Sequence, residues 1–209
     1  MAIPCLILGA SGSGKSASMR NFEPDEIGIF NVASKPLPFR KKLPKFDCSD
    51  YGKIMAAMSK SDKKVFVVDD SQFLSVFANF ARAKEVGYTK FVDMALNEYN
   101  LIQFVIQKLP ADTIVFFLRH IEVDDGGRIK AKTIGKMLDQ NLGGLESLFS
   151  VCLMCNTDGN EHWFETQSDG YTPAKSPIGM FPDKKIDNDL RLVTQAIRDY
   201  WEVDNAEGT

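Results

Sequence analysis

No apolar run in this chain approaches the ~20 residues that cross a bilayer, which excludes a membrane-spanning helix. The first residues lack a basic stretch followed by an apolar core and a cleavage site, so no signal peptide is expected and the expected address is cytoplasmic. Basic excess is missing as well. Lys and Arg number 25 against 28 Asp and Glu, a net charge of -3, which excludes a uniformly positive surface but not a local basic groove. Histidines number 2 and cysteines 4. Cys152 and Cys155 form C-x-x-C, but no second such pair exists, and residues three apart on the apolar strand 150–155 face opposite sides. A zinc site is therefore not expected; the thiols read as core residues of a reducing compartment. There is no internal repeat, low-complexity block or linker, so residues 1–203 are expected to form one domain and 204–209 a tail.

What is present is Gly9-Ala10-Ser11-Gly12-Ser13-Gly14-Lys15-Ser16, a match to G-x-x-x-x-G-K-[ST]. It follows the apolar run 3–8, read as a buried strand, and precedes residues 17–20, read as a first helical turn. That strand–loop–helix setting is the one in which the motif binds phosphate. Glycine lets the backbone curl without a Cβ clash. The N–H groups of Gly12 to Ser16 are expected to wrap the β-phosphate, with the positive end of the helix behind them. Gly9, Ser11, Gly12, Ser13, Gly14, Lys15 and Ser16 are thus the expected nucleotide-binding set. Lys15 is expected to reach the β- and γ-phosphates, and the Ser16 hydroxyl to ligate Mg²⁺.

A second strand supplies the acids. Val65-Phe66-Val67-Val68 is continuously apolar, as for a strand buried on both faces, and ends in Asp69-Asp70. Carboxylates there stand in the crevice where open α/β sheets bind ligands. Asp69 is expected to hold the magnesium through water, and Asp70 to face the attacking water. A capping role for Asp70 or Ser71 in the next segment is compatible with both.

Strand candidates alternate with helical ones along the chain. Residues 27–32 read as a strand, and 33–45, with Lys35, Arg40, Lys41, Lys42, Lys45 and three prolines, as an extended basic loop. Helices are expected over 50–59, 71–83, 91–109, 138–148 and 189–201, and a buried strand over 113–118. Segments 151–156 and 162–166 flank a turn at 157–160 as a hairpin, and 168–186 reads as loop. The fold class expected is α/β: a P-loop NTPase with a mostly parallel sheet flanked by helices, RecA/AAA-like in having a strand between the P-loop strand and the acidic strand, with a C-terminal antiparallel hairpin.

With these residues on the page, the chain resembles the small phage-encoded ATP-binding proteins that carry a RecA-like AAA domain, some of which act in single-strand annealing or recombination. Residues 9–16 and 65–70 carry the resemblance, together with the strand ending at His120 and the segment Ala174-Lys175-Ser176 ahead of 186–190. It implies an ATPase using ATP and Mg²⁺ in DNA recombination, annealing or replication. It implies a homo-oligomer on single-stranded DNA, with replication or recombination proteins as further partners, in the host cytoplasm. His120 takes the place of a γ-phosphate sensor. Lys175 takes that of a lysine reaching a neighbouring subunit's nucleotide, with Arg119 and Arg128 as weaker candidates. Lys15, Asp70, His120 and Lys175 are then the catalytic set. Arg128, Lys130, Lys132 and Lys136 lie where such proteins bind DNA, although aromatic partners for bases are confined to Phe39 and the more distant Tyr171. Where those ATPases carry a water-orienting glutamate, residues 27–33 end without one, and Glu98 lies in a helix, so slow or partner-dependent hydrolysis is expected.

Two other outputs stay open at the level of sequence: a P-loop phosphotransferase, and a nucleotide-gated protein-binding module. A GTPase is disfavoured because no N-K-x-D base-reading sequence occurs.

Overall fold

The computed structural model describes residues 1–203; the tail expected at 204–209 lies outside the described residues. The strands are β1 (Ile3–Gly9), β2 (Ile27–Asn31), β3 (Lys45–Asp47), β4 (Val65–Asp69), β5 (Ile114–Val123), β6 (Ile129–Ala131), β7 (Val151–Thr157), β8 (His162–Glu165) and β9 (Lys185–Asp187). The helices are α1 (Tyr51–Lys60), α2 (Phe73–Ala81), α3 (Thr89–Lys108), α4 (Met137–Leu142) and α5 (Leu190–Trp201). The strand order is β3-β2-β4-β5-β1-β7-β8-β9, with β6 attached to β5. Pairing is parallel from β3 to β7, while β8 and β9 run antiparallel at the far edge. β5 therefore stands between β1 and β4, as the analogy with RecA/AAA-type sheets led us to expect, and the C-terminal hairpin gains a third strand.

Side-chain alternation divides each central strand between two layers. Leu6 and Leu8 of β1 join Ile54 of α1, Leu74 of α2, Leu101 of α3 and Leu138 of α4 on one face. Cys5 and Ile7 join Phe22, Val193 and Ile197 on the other, where α5 lies. Leu190, Val193 and Ile197 recur at helical spacing, and Asp189 opens α5 by accepting the Arg191 N–H. Cys152 and Cys155 fall on opposite layers, as their spacing requires.

Four local expectations are corrected. No long helix follows the glycine loop; Ser16–Met19 makes one 3₁₀ turn. Arg20 then donates to the Asn188 carbonyl at 2.7 Å and Asn21 to Asp189 at 2.6 Å, drawing the chain toward the start of α5. Pro24 bars further helix. The strand expected to stop at Leu118 continues to Val123, because Ile121–Val123 pairs with β6 around the turn 124–127. Lys130, one of the cations expected to meet DNA, therefore lies within β6. The helix expected over 138–148 is broken where Gly143 and Gly144 take φ of 71° and 113°. Finally, β3 begins at the last residue of the segment read as basic loop, and β9 takes in the last two residues of the loop expected over 168–186. Each has three residues and contributes little to the core, so pairing at a sheet edge defines it.

Candidate functional site

The carboxyl ends of β1, β2, β4 and β5 open onto one cleft of about 370 Å³, lined by Ser11, Gly12, Gly14 to Ala17, Lys35, Asp69, Asp70, His120 and His162 among others. Ligand crevices of open α/β sheets occupy this place.

The glycine loop leaves β1 at Gly9. A Cβ there would lie 2.4 Å from Ser13 Oγ and 2.6 Å from the Cys155 carbonyl oxygen, so β1 passes β7 with no space for a side chain. Gly12 and Gly14 take φ of 80° and 100°, the left-handed region that turns the loop. The Lys15 ammonium folds under the loop and donates to the carbonyls of Gly9 and Ala10, each at 2.8 Å. Burial lowers its pKa, while Cys155, Asp70 and Asp69 work the other way. Ser13 Oγ is buried without a partner.

The Ser16 hydroxyl donates to Asp69 Oδ1 at 2.8 Å, across 53 positions of sequence. Burial pushes the Asp69 carboxyl up to about 6, with the Ser16 hydrogen bond opposing it. Asp70 behaves oppositely. Burial disfavours its ionisation, but hydrogen bonds from His120 and Lys35 outweigh that and hold the carboxyl at about 2. Lys35 Nζ lies 2.8 Å from Asp70 Oδ2, and His120 Nε2 lies 3.3 Å from Oδ1. Asp70 is left-handed, with φ of 57°, which turns its carboxylate back over the strand ends. It does not cap α2, whose N-cap is Gln72 without a side-chain bond, and Ser71 Oγ instead donates to the Leu118 carbonyl.

The expected phosphate and metal residues are therefore brought together, with Asp70 and His120 beside them. Lys175 stands apart. Its backbone pairs with Cys152 near the start of β7, and it does not line the cleft. Arg119 is excluded from duty at a nucleotide because its guanidinium is buried and bidentate on Glu98, at 2.8 and 3.1 Å. Among the cations expected to meet DNA, Lys130 is tied to Glu122 and Asp139. Arg128, Lys132 and Lys136 are exposed on the hairpin and just beyond it.

Two cleft residues escaped the sequence reading. Lys35 was one of several cations in a proline-broken loop. His162 begins β8; its Nδ1 lies 2.8 Å from the Ser13 carbonyl, and a Cβ at Gly14 would meet its ring at 2.8 Å. The Cys155 thiol donates to the same carbonyl at 3.0 Å, so the β7–β8 hairpin braces the loop from outside. The Lys-Pro step after β2 was the one available signal for Lys35; nothing local marked His162.

Among the described residues no helix is long and apolar enough to cross a membrane, and no cluster of three or more His, Cys, Asp or Glu is placed to hold a metal ion by itself. No protein-family model matches this chain, and no curated protein matches it either.

Proposed function

We propose that this protein binds a nucleoside triphosphate, ATP, with Mg²⁺ and hydrolyses it. The observation that carries the proposal is the Ser16–Asp69 contact beside the folded loop and Lys15. A hydroxyl and a carboxylate are hard oxygen donors of the kind Mg²⁺ takes, and the ion ordinarily keeps its other positions for water and phosphate oxygens. The residues present fit such an ion, with Ser16 and Asp69 as its holders. Once bound, it would neutralise charge on the phosphates. Lys15 would leave the Gly9 and Ala10 carbonyls for phosphate oxygens, and the N–H groups of the loop would orient the chain of phosphates. Asp70, the residue just after the end of β4, would face the attacking water, and His120 would hold its orientation.

The resemblance drawn from the sequence would set that turnover in DNA recombination, annealing or replication by an oligomer, with Lys175 acting on a neighbouring subunit. The electrostatic footing for single-stranded DNA is the exposed set Arg128, Lys132 and Lys136, since Lys130 is already paired. A second reading, a nucleotide-gated binding module with little turnover, is favoured by one observation: Asp70 is engaged by two partners.

The test is nucleotide binding and phosphate release, with and without single-stranded DNA, on the wild type and on Lys15→Ala. We expect the variant to keep its circular dichroism spectrum and lose binding and turnover at least ~100-fold, in line with the loss of a buried charge-assisted contact. Unchanged turnover in Lys15→Ala refutes the assignment. Stimulation by DNA that collapses as salt rises supports the DNA setting; binding without turnover under every condition supports the gated module.

A further inference from the structure

Lys35 is held at the mouth of the cleft by a backbone arrangement more elaborate than a surface ion pair requires. The Asn31 side chain, 2 % exposed, grips its main chain from both sides. Asn31 Nδ2 donates to the Lys35 carbonyl at 2.9 Å, and Asn31 Oδ1 accepts the Lys35 N–H at 3.3 Å. The preceding residue, Ser34, is left-handed with φ of 54°, and its N–H returns to the Asn31 carbonyl at 3.2 Å. Pro36 follows and confines Lys35 to extended backbone. The Lys35 ammonium also lies over the Phe73 ring, 5.0 Å from its centre.

The other loop cations with ion pairs are committed away from the cleft. Lys41 pairs with Glu23 at 2.7 Å, and Lys45 pairs with Asp47. Only Lys35 among these three lines the cleft that also holds Lys15 and Ser16. Its side chain is 58 % exposed, so its bond to Asp70 is an ion pair of the weak, water-screened kind. Losing it would not strand Asp70, whose other oxygen keeps His120 at 3.3 Å. An ammonium carries three donors on a flexible stem and exchanges one oxyanion for another without rebuilding its site.

We propose that Lys35 is a second phosphate-contacting cation, supplied from within the same chain, that recognises the terminal phosphate of the triphosphate by exchanging Asp70 for a terminal phosphate oxygen. Lys15 approaches the phosphates from beneath the loop, and Lys35 approaches from the β2 side of the cleft. The terminal phosphate then lies between two cations, whereas a diphosphate reaches only the first. This rests on the nucleotide-binding reading above and adds the residue that tells triphosphate from diphosphate.

Calorimetric titration with the β,γ-imido analogue of ATP and with ADP, each with Mg²⁺, tests it on the full chain. We expect Lys35→Ala to weaken the triphosphate analogue about tenfold or more, the scale of one lost charge-assisted contact, and to leave ADP within about twofold of wild type. Lys35→Arg should restore part of the preference. Asn31→Ala, which frees the backbone grip, should give an intermediate loss confined to the triphosphate. Equal losses for both nucleotides in Lys35→Ala, or no loss for either, overturn the role of Lys35 while nucleotide binding stands. Failure of the wild type to bind either one overturns the nucleotide reading and this assignment with it.

Discussion

Asp69 illustrates how a buried carboxylate opposes the stability of the fold that holds it. It is 5 % exposed, and burial raises its pKa from the ordinary 3.8 to about 6. A shift of that size corresponds to about 3 kcal/mol against the ionised form. The folded state binds this proton more tightly than the unfolded chain does. The term therefore favours folding at low pH and is lost as pH rises from about 4 through 6. For Asp70, with its carboxyl at about 2, the sign reverses: its stabilisation is complete above about 4 and disappears as pH falls toward 2. We predict that Asp69→Asn, measured by thermal melting with chelator and no nucleotide, melts higher than wild type at pH 7 and loses Mg²⁺-dependent nucleotide binding. A lower melting temperature at pH 7 would contradict the cost assigned to the buried charge. At this scale the sequence exposed Lys15, Ser16 and Asp69, because the spacing of their motifs encodes backbone curl and strand ends. It did not expose His162, which reaches Ser13 across 149 positions.

Between elements, a buried polar network joins α3 to β5 and to the turn after β4. Arg119 is bidentate on Glu98, its Nε donates to Ser71 Oγ at 3.3 Å, and the Ser75 hydroxyl donates to Glu98. Tyr51 from α1 reaches Ser75 at 3.0 Å. Both charged side chains are about 5 % exposed or less, so their attraction is matched against a large desolvation cost. Removing one partner leaves the other buried and bare. Glu98→Ala is predicted to lower unfolding free energy in urea by about 3 to 5 kcal/mol, while Glu98→Leu with Arg119→Met recovers most of that loss. A Glu98→Ala cost under about 1 kcal/mol would show that water enters the network. In the sequence, Glu98 was an acid on a helix and Arg119 a cation after a strand; neither pattern discloses a partner. Elements of strong apolar periodicity, such as β1, β4, β7 and α5, were legible. The short β3, β6 and β9 were not, since they exist through pairing with a neighbouring strand.

Across the whole molecule, two apolar layers share one sheet, and cysteines report on both. Cys5 and Cys155 lie in the layer under α5, and Cys48 and Cys152 in the layer under α1 to α4. Burial pushes the thiols of Cys5 and Cys152 well above their usual range, and that of Cys155 up to about 11. A thiol reagent at pH 8 should therefore label these three slowly in the native protein. In a urea series, Cys5 and Cys152 should become reactive at one common midpoint, which coincides with the change in tryptophan fluorescence, because neither layer survives without the strands between them. Separate midpoints would show that the layers come apart independently. By itself the sequence determined the glycine loop, the acids at the end of an apolar strand, and the alternation of strands and helices. These depend on residues close together in the chain, through backbone freedom and side-chain period. Only the tertiary structure decided that Ser16 meets Asp69, that Lys35 rather than Lys175 or Arg119 shares the cleft, and that a C-terminal hairpin braces the loop. Those contacts follow from the order and register in which distant strands pair, and no local pattern records that order.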